Sequence, residues 1–157
     1  MPQHWLKPLG VSNPPAPLPD DWTAGMNLEI YPLTSGPNKP RPPQMGRGDL
    51  VLFHAVGHGR IFAAGKLLKN PVRHVHPKWG ERWPWLYECR VDVWVPLIQQ
   101  GIRSGDWAPK KAINRIRAGG EFALLTPEEY RTILDALANQ SAACSRPELL
   151  EEIPPSK

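Results

Sequence analysis

The sequence predicts an α+β domain: a small β-barrel with helices packed on its outside. Three observations lead there. Two adjacent strand-forming runs, Leu50–Val56 and Arg60–Leu68, are apolar on both faces, as in a strand buried from both sides. A third run, Leu86–Pro96, alternates with period two. Two helical patterns close the domain, with one short strand between them. At 157 residues the chain is long enough for one domain with a substantial core.

The elements follow in chain order. Eleven of the 20 prolines precede residue 46. The segments Asn13–Pro19 and Pro37–Pro43 are therefore incompatible with helix or central strand and should run as extended connections. Gly48-Asp49 opens the first strand, Gly57-His58-Gly59 turns it, and Arg60–Leu68 returns. Gly65 suits a bulge or a sharp bend. Residues 69–84 form a basic, aromatic loop. In the strand that follows, Tyr87, Cys89, Val91 and Val93 alternate against Glu88, Arg90, Asp92 and Trp94. A helix is predicted over Pro109–Ala118, with proline in its first turn and Gly119-Gly120 as its stop. Its stripe is Ala112, Ile113 and Ile116, and Lys110, Lys111, Arg115 and Arg117 make it strongly cationic. After a short strand at Glu121–Leu125, Thr126-Pro127-Glu128-Glu129 reads as a capping box. Tyr130, Ile133, Leu134 and Leu137 then form one buried face. The domain is expected over residues 1–140, with a flexible acidic tail at 141–157.

Charge and composition narrow the function classes. The formal net charge is +4, distributed as −2 over residues 1–38, +10 over 39–117 and −4 over 118–157. A basic centre of that size fits a polyanionic partner, nucleic acid or an anionic membrane surface, and equally a merely solvated surface. No apolar run approaches a membrane span, and no signal-peptide pattern opens the chain, so a cytoplasmic setting without membrane contact is expected. Two cysteines, Cys89 and Cys144, exclude a disulfide scaffold and an all-cysteine zinc site.

The most informative stretch is His74–Trp85, where Trp79, Trp83 and Trp85 fall within seven residues and interleave with Lys78 and Arg82. Aromatic faces that can stack on a base beside cations that can hold its phosphates are the chemistry of single-strand or single-base binding. The competing reading is that the tryptophans plug the barrel mouth. For Trp85 and Trp94, in or beside a strand, core packing is preferred. His74 and His76 have a spacing that a metal can use, but no carboxylate or cysteine stands at ligand spacing beside them. Cys89, in a strand, reads as core rather than as a nucleophile. No phosphate-binding glycine loop, nucleophile elbow or paired-carboxylate motif is present, so no cofactor is expected.

The order of these elements resembles the EVE family and, more distantly, YTH domains, both in the PUA-like superfamily. The likeness spans about residues 45–138. It is carried by Gly48-Asp49-Leu50-Val51-Leu52-Phe53 with its hairpin, by Trp79-x-x-x-Trp83 ahead of the Tyr87–Val95 strand, by Trp83-Pro84-Trp85, and by Gly119-Gly120-Glu121-Phe122 through Tyr130. The resemblance implies a PUA-like barrel with a pocket for a modified, for example methylated, base in DNA or RNA. Trp79 and Trp83 would be two walls of that pocket and Trp22 a third, with Trp5 as the alternative; His54 can contact the base edge or, equally, be a satisfied barrel histidine. Lys66, Arg73, Lys78, Arg82, Lys110 and Lys111 are the phosphate candidates. The expected function is thus a non-catalytic reader. A small hydrolase or metal-dependent enzyme on a related barrel is the alternative, and a protein-interaction module using the proline-rich head is a third reading.

Overall fold

The computed structural model describes residues 2–9, 11–12, 15–16, 31–35, 44–73, 85–117 and 122–145. The strands are β1 (His4–Leu9), β2 (Val11–Ser12), β3 (Pro15–Ala16), β4 (Tyr31–Ser35), β5 (Leu50–Ala55), β6 (Arg60–Leu67), β7 (Val72–Arg73), β8 (Trp85–Trp94), β9 (Ile102–Arg103), β10 (Ala123–Leu125) and β11 (Cys144–Ser145). The helices are a single turn α1 (Ser104–Trp107), α2 (Lys110–Arg117) and α3 (Pro127–Ala138).

The main sheet runs β10-β1-β5-β6-β8-β11, with β4 and β7 added along β8 and β9 added to β6. It is mixed: β1 lies parallel to β5, and the remaining pairs are antiparallel. The sheet curls into a partial barrel with few helices, an α+β fold, rather than the closed barrel the two-faced apolar strands predicted. The expectation that β5 and β6 are buried on both faces holds: Val51, Leu52, Phe53, Ile61, Phe62 and Ala63 have no exposed surface.

Beneath the sheet, α3 applies the stripe read from its spacing, with Tyr130, Ile133, Leu134 and Leu137 all buried. Its start is the predicted capping box. The Glu129 amide donates to Thr126 Oγ1 at 3.1 Å, and the Thr126 amide donates to Glu129 Oε1 at 2.8 Å.

Four features differ from the sequence reading. The period-two alternation predicts Asp92 on the outward face of β8, but it is 1% exposed. Val91 and Val93 pair with the consecutive residues Gly65 and Ala64, so Asp92 is the extra residue of a bulge, turned inward against Arg90 Nε at 2.9 Å. The bulge predicted at Gly65 is therefore present, but its extra residue belongs to the partner strand. The predicted connection Asn13–Pro19 contains a strand, since β3 pairs with β2; outside both predicted connections, β1 is a central strand and β4 pairs along β8 from Tyr31↔Cys89 to Ser35↔Trp85. Pro8 is tolerated in β1 because it lies beyond the last β10 pair, Leu6↔Ala123, where one flank of the strand is released. Finally, strand pairing runs into the expected tail, since Cys144 and Ser145 pair with Trp94 and Val93.

Candidate functional site

The Gly-Asp motif organises the corner where β1, β5 and the chain before β5 meet. Gly48 adopts φ +89°, a conformation that favours glycine, and turns the chain into β5. Asp49 is buried and its carboxylate accepts three hydrogen bonds: the Gln3 amide at 3.0 Å, the Trp5 indole N–H at 2.9 Å and the Gly46 amide at 3.0 Å. Trp5, the alternative third wall, is thereby fixed in the fold. It is 3% exposed, and its ring meets Phe122 edge-on at 4.9 Å between centroids.

Trp5 also forms the floor of an open cleft of about 430 Å³ between α2 and β10, lined in addition by Gln44, Lys111, Arg115, Phe122 and Leu124. Lys111 and Arg115 sit one turn apart on α2, whose sequence contains no acidic residue. The Arg115 Nε–H donates to the Phe122 carbonyl at 2.9 Å, which holds the guanidinium over the end of β10. Leu124 presents a large apolar side chain, 52% exposed, beside these cations. Sequence reading singled out Lys111 and the cationic helix but not the cleft; Leu124 breaking the otherwise buried run Phe122–Leu125 is visible only in the pairing.

A second feature lies at the start of β8. Arg73 and Ser35 both pair with Trp85, one on each side. β7 thus ends, and β8 begins, at the Arg73–Trp85 pair, and β4 ends at Ser35 on that same Trp85. Trp85 is a core-side residue, as expected, and the Arg73 guanidinium stands 5.5 Å from its ring centroid. Lys66 is half-buried on β6 opposite Arg90, and the neighbouring Lys69 is engaged with Glu88 at 3.4 Å. Trp79, Trp83, Trp22, Lys78, Arg82, His74 and His76 lie outside the described residues.

His54 is placed apart from this end. Its Nδ1 is 2.6 Å from Ser104 Oγ, and the Ser104 amide donates to the Gly59 carbonyl, so the pair secures α1 to the β5–β6 hairpin. His54 is level with Ile61, beyond the position where Ala63 meets Trp94. Counting along β8, that is roughly 30 Å of strand from Trp85. The described structure does not bring His54 to the base of the tryptophan loop.

The reactive groups are held quiet by the packing. Burial pushes the Cys89 thiol far above its ordinary range, assisted by Asp92 and only partly opposed by Arg90, so the thiolate a nucleophile needs is not formed. Ser104, beside His54, is 2% exposed. Burial likewise raises the Tyr130 phenol. Among the described residues, no group of three His, Cys, Asp or Glu side chains could hold a metal ion, and no helix is long and apolar enough to cross a membrane.

No protein-family model and no curated protein matches the sequence. Solved structures do match in shape. A hypothetical protein from Leishmania major superposes with a TM-score of 0.57 at 12% identity, covering 89% of this chain and 97% of its own. A Rhodopseudomonas palustris protein solved by NMR superposes with a TM-score of 0.51 at 13% identity, covering 87% of this chain and 93% of its own. At such identity the likeness is one of fold.

Proposed function

We propose that this protein is a non-catalytic, cytoplasmic reader of nucleic acid, built on a PUA-like barrel of the EVE type, that takes a modified base between aromatic side chains. The observation that carries the reading is the convergence on Trp85. The segment bearing Trp79, Lys78, Arg82 and Trp83 is anchored there by Arg73, and the segment bearing Lys39 and Arg41 departs from Ser35 at the same level. Two tryptophans and four cations thus follow in sequence on strand ends that meet at Trp85, and they supply the stacking faces and phosphate-binding charge that an extruded base requires. Arg73 stands at the same end, Lys66 lies five residues further along β8 opposite Arg90, and Lys110 and Lys111 add positive charge on α2, across the sheet.

The test is a binding screen against oligonucleotides carrying defined methylated or hydroxymethylated bases, at two salt concentrations. A preferred modification should emerge. Trp79→Ala and Trp83→Ala should each reduce its affinity by about 1–3 kcal/mol, the worth of one stacked base, with the thermal transition unchanged. Parent-like binding by both variants, or no binding to any oligonucleotide at low salt, refutes the proposal.

A further inference from the structure

The cleft between α2 and β10 is not needed to hold the read base, yet it has the make-up of a ligand site. At about 430 Å³ it is within the ~300–1,000 Å³ range of small-molecule sites. One wall is cationic and the other apolar. Lys111 and Arg115 project from the same face of α2, and among the described residues neither is engaged in an ion pair. The bond from Arg115 Nε to the Phe122 carbonyl spends one donor on positioning and leaves the two terminal amino groups of the fork for an anion. Opposite them, Leu124 offers exposed apolar area against the Trp5–Phe122 pair.

We propose that this cleft is a nucleotide site, with a phosphate on Lys111 and Arg115 and a base or sugar face against Leu124 and Phe122. A ligand that is apolar on one flank and doubly cation-matched on the other fits the two walls, whereas inorganic phosphate alone leaves the apolar wall exposed. The inference rests on the nucleic-acid reading only for the source of the nucleotide. For a strand whose modified base is held near Trp85, the cleft takes an unmodified flanking nucleotide. Gln44 ties the two places together: it lines the cleft, and Ser35, nine residues earlier, pairs with Trp85. Nine residue steps span at most about 32 Å, which lies within the reach of the ~4–16 nucleotides that single-strand sites occupy.

The experiment uses the full chain and two probes, adenosine monophosphate and an unmodified eight-nucleotide DNA strand. Each is titrated by NMR with the Trp5 indole N–H and the Leu124 methyl groups as reporters. The double variant Lys111→Gln/Arg115→Gln is then compared with the parent by fluorescence anisotropy at 50 and 200 mM salt. Both probes should move both reporters. The loss of oligonucleotide affinity between the two salts should be about 3-fold smaller in the variant, as removal of one single-strand phosphate contact requires. Its preference for a modified over an unmodified strand should be unchanged. Reporters that stay still with both probes, or a variant that matches the parent at both salts, overturns the site. If strands bind through Trp79 and Trp83 while the cleft variant behaves as the parent, the site falls and the reader stands. If the mononucleotide moves the reporters but no strand binds, the site stands and the reader falls.

Discussion

Replacing Asp49 by alanine should cost more stability than any other single change at the base of β5. Asp49 is 8% exposed, and its carboxylate serves three donors at 2.9–3.0 Å. A hydrogen bond to a charged group is worth about 1.5–3 kcal/mol, and a buried donor left without a partner costs about 1–3 kcal/mol. The Gln3 amide lies near the exposed chain start and can return to water. The buried Trp5 indole N–H loses its acceptor, and the Gly46 amide loses the bond that closes the turn before β5. Counting those two, Asp49→Ala should cost about 3–5 kcal/mol, which for a domain of this size lowers Tm by roughly 10 °C. Asp49→Asn keeps one oxygen and should lie between alanine and the parent. Urea denaturation followed by far-UV circular dichroism reads the change as a shift in midpoint at constant slope. A cycle with Trp5→Phe, which keeps a ring and removes the N–H, should show a coupling of about 1–2 kcal/mol. Asp49→Ala within 1 kcal/mol of the parent would refute the assignment of Asp49 as the hub of this corner.

Three further outcomes are expected. Gly65→Ala should cost about 3 kcal/mol or prevent folding, because its Cβ would stand 2.5 Å from the Arg90 carbonyl oxygen and 2.7 Å from Cys89 Sγ; a parent-like urea midpoint would contradict the packing. In a thiol titration at pH 8, half-exposed Cys144 should react promptly and buried Cys89 only after denaturation; equal fast rates would show that β8 opens readily. His4 has its pKa lowered from 6.5, chiefly by desolvation against the opposing pull of Asp49 and Glu128. Between that lowered value and 6.5 the unfolded chain holds a proton that the folded one does not, so stability should rise with pH across this window and level off above it. His4→Gln should flatten that slope, and an identical slope in the variant would discount His4.

What could be read from the sequence follows from how local its causes are. The capping box at Thr126 and Glu129, the α3 stripe and the Gly57–Gly59 turn are set by neighbours within four residues, and all are present. The inward turn of Asp92 depends on which β6 residues face β8, a register that residues 85–94 do not encode by themselves. The place of β1 between β5 and β10 depends on partners more than 40 and 110 residues away, which its own six residues do not encode. Lys111 was legible as charge, but the cleft it lines required knowing that Phe122–Leu124 runs beside α2. His54 was a candidate because its type suits a base edge; the serine that engages it is 50 residues away.

The layout also separates two jobs that the sequence presents as one basic field. The tryptophan-bearing segment is tethered at Trp85 on β8, whereas the cleft borders β10, and the sheet order places β6, β5 and β1 between them. Four inter-strand steps of about 4.8 Å separate β8 from β10 by roughly 19 Å across the sheet surface, and Leu124 lies, through Trp5, Val51 and Gly65, at the level of Val91, about 20 Å along β8 from Trp85. Groups that far apart with no shared protein neighbour contribute independently, to within about 0.5 kcal/mol, as long as the one strand both of them hold does not couple them. Loss of Trp79 and Trp83 should therefore change the ratio of modified to unmodified binding. Loss of Lys111 and Arg115 should weaken both strands equally, and the combined variant should show the sum of the two effects. A combined loss that departs from that sum by more than about 1 kcal/mol would mean that strand and protein order one another across the sheet, and the division of labour would have to be abandoned.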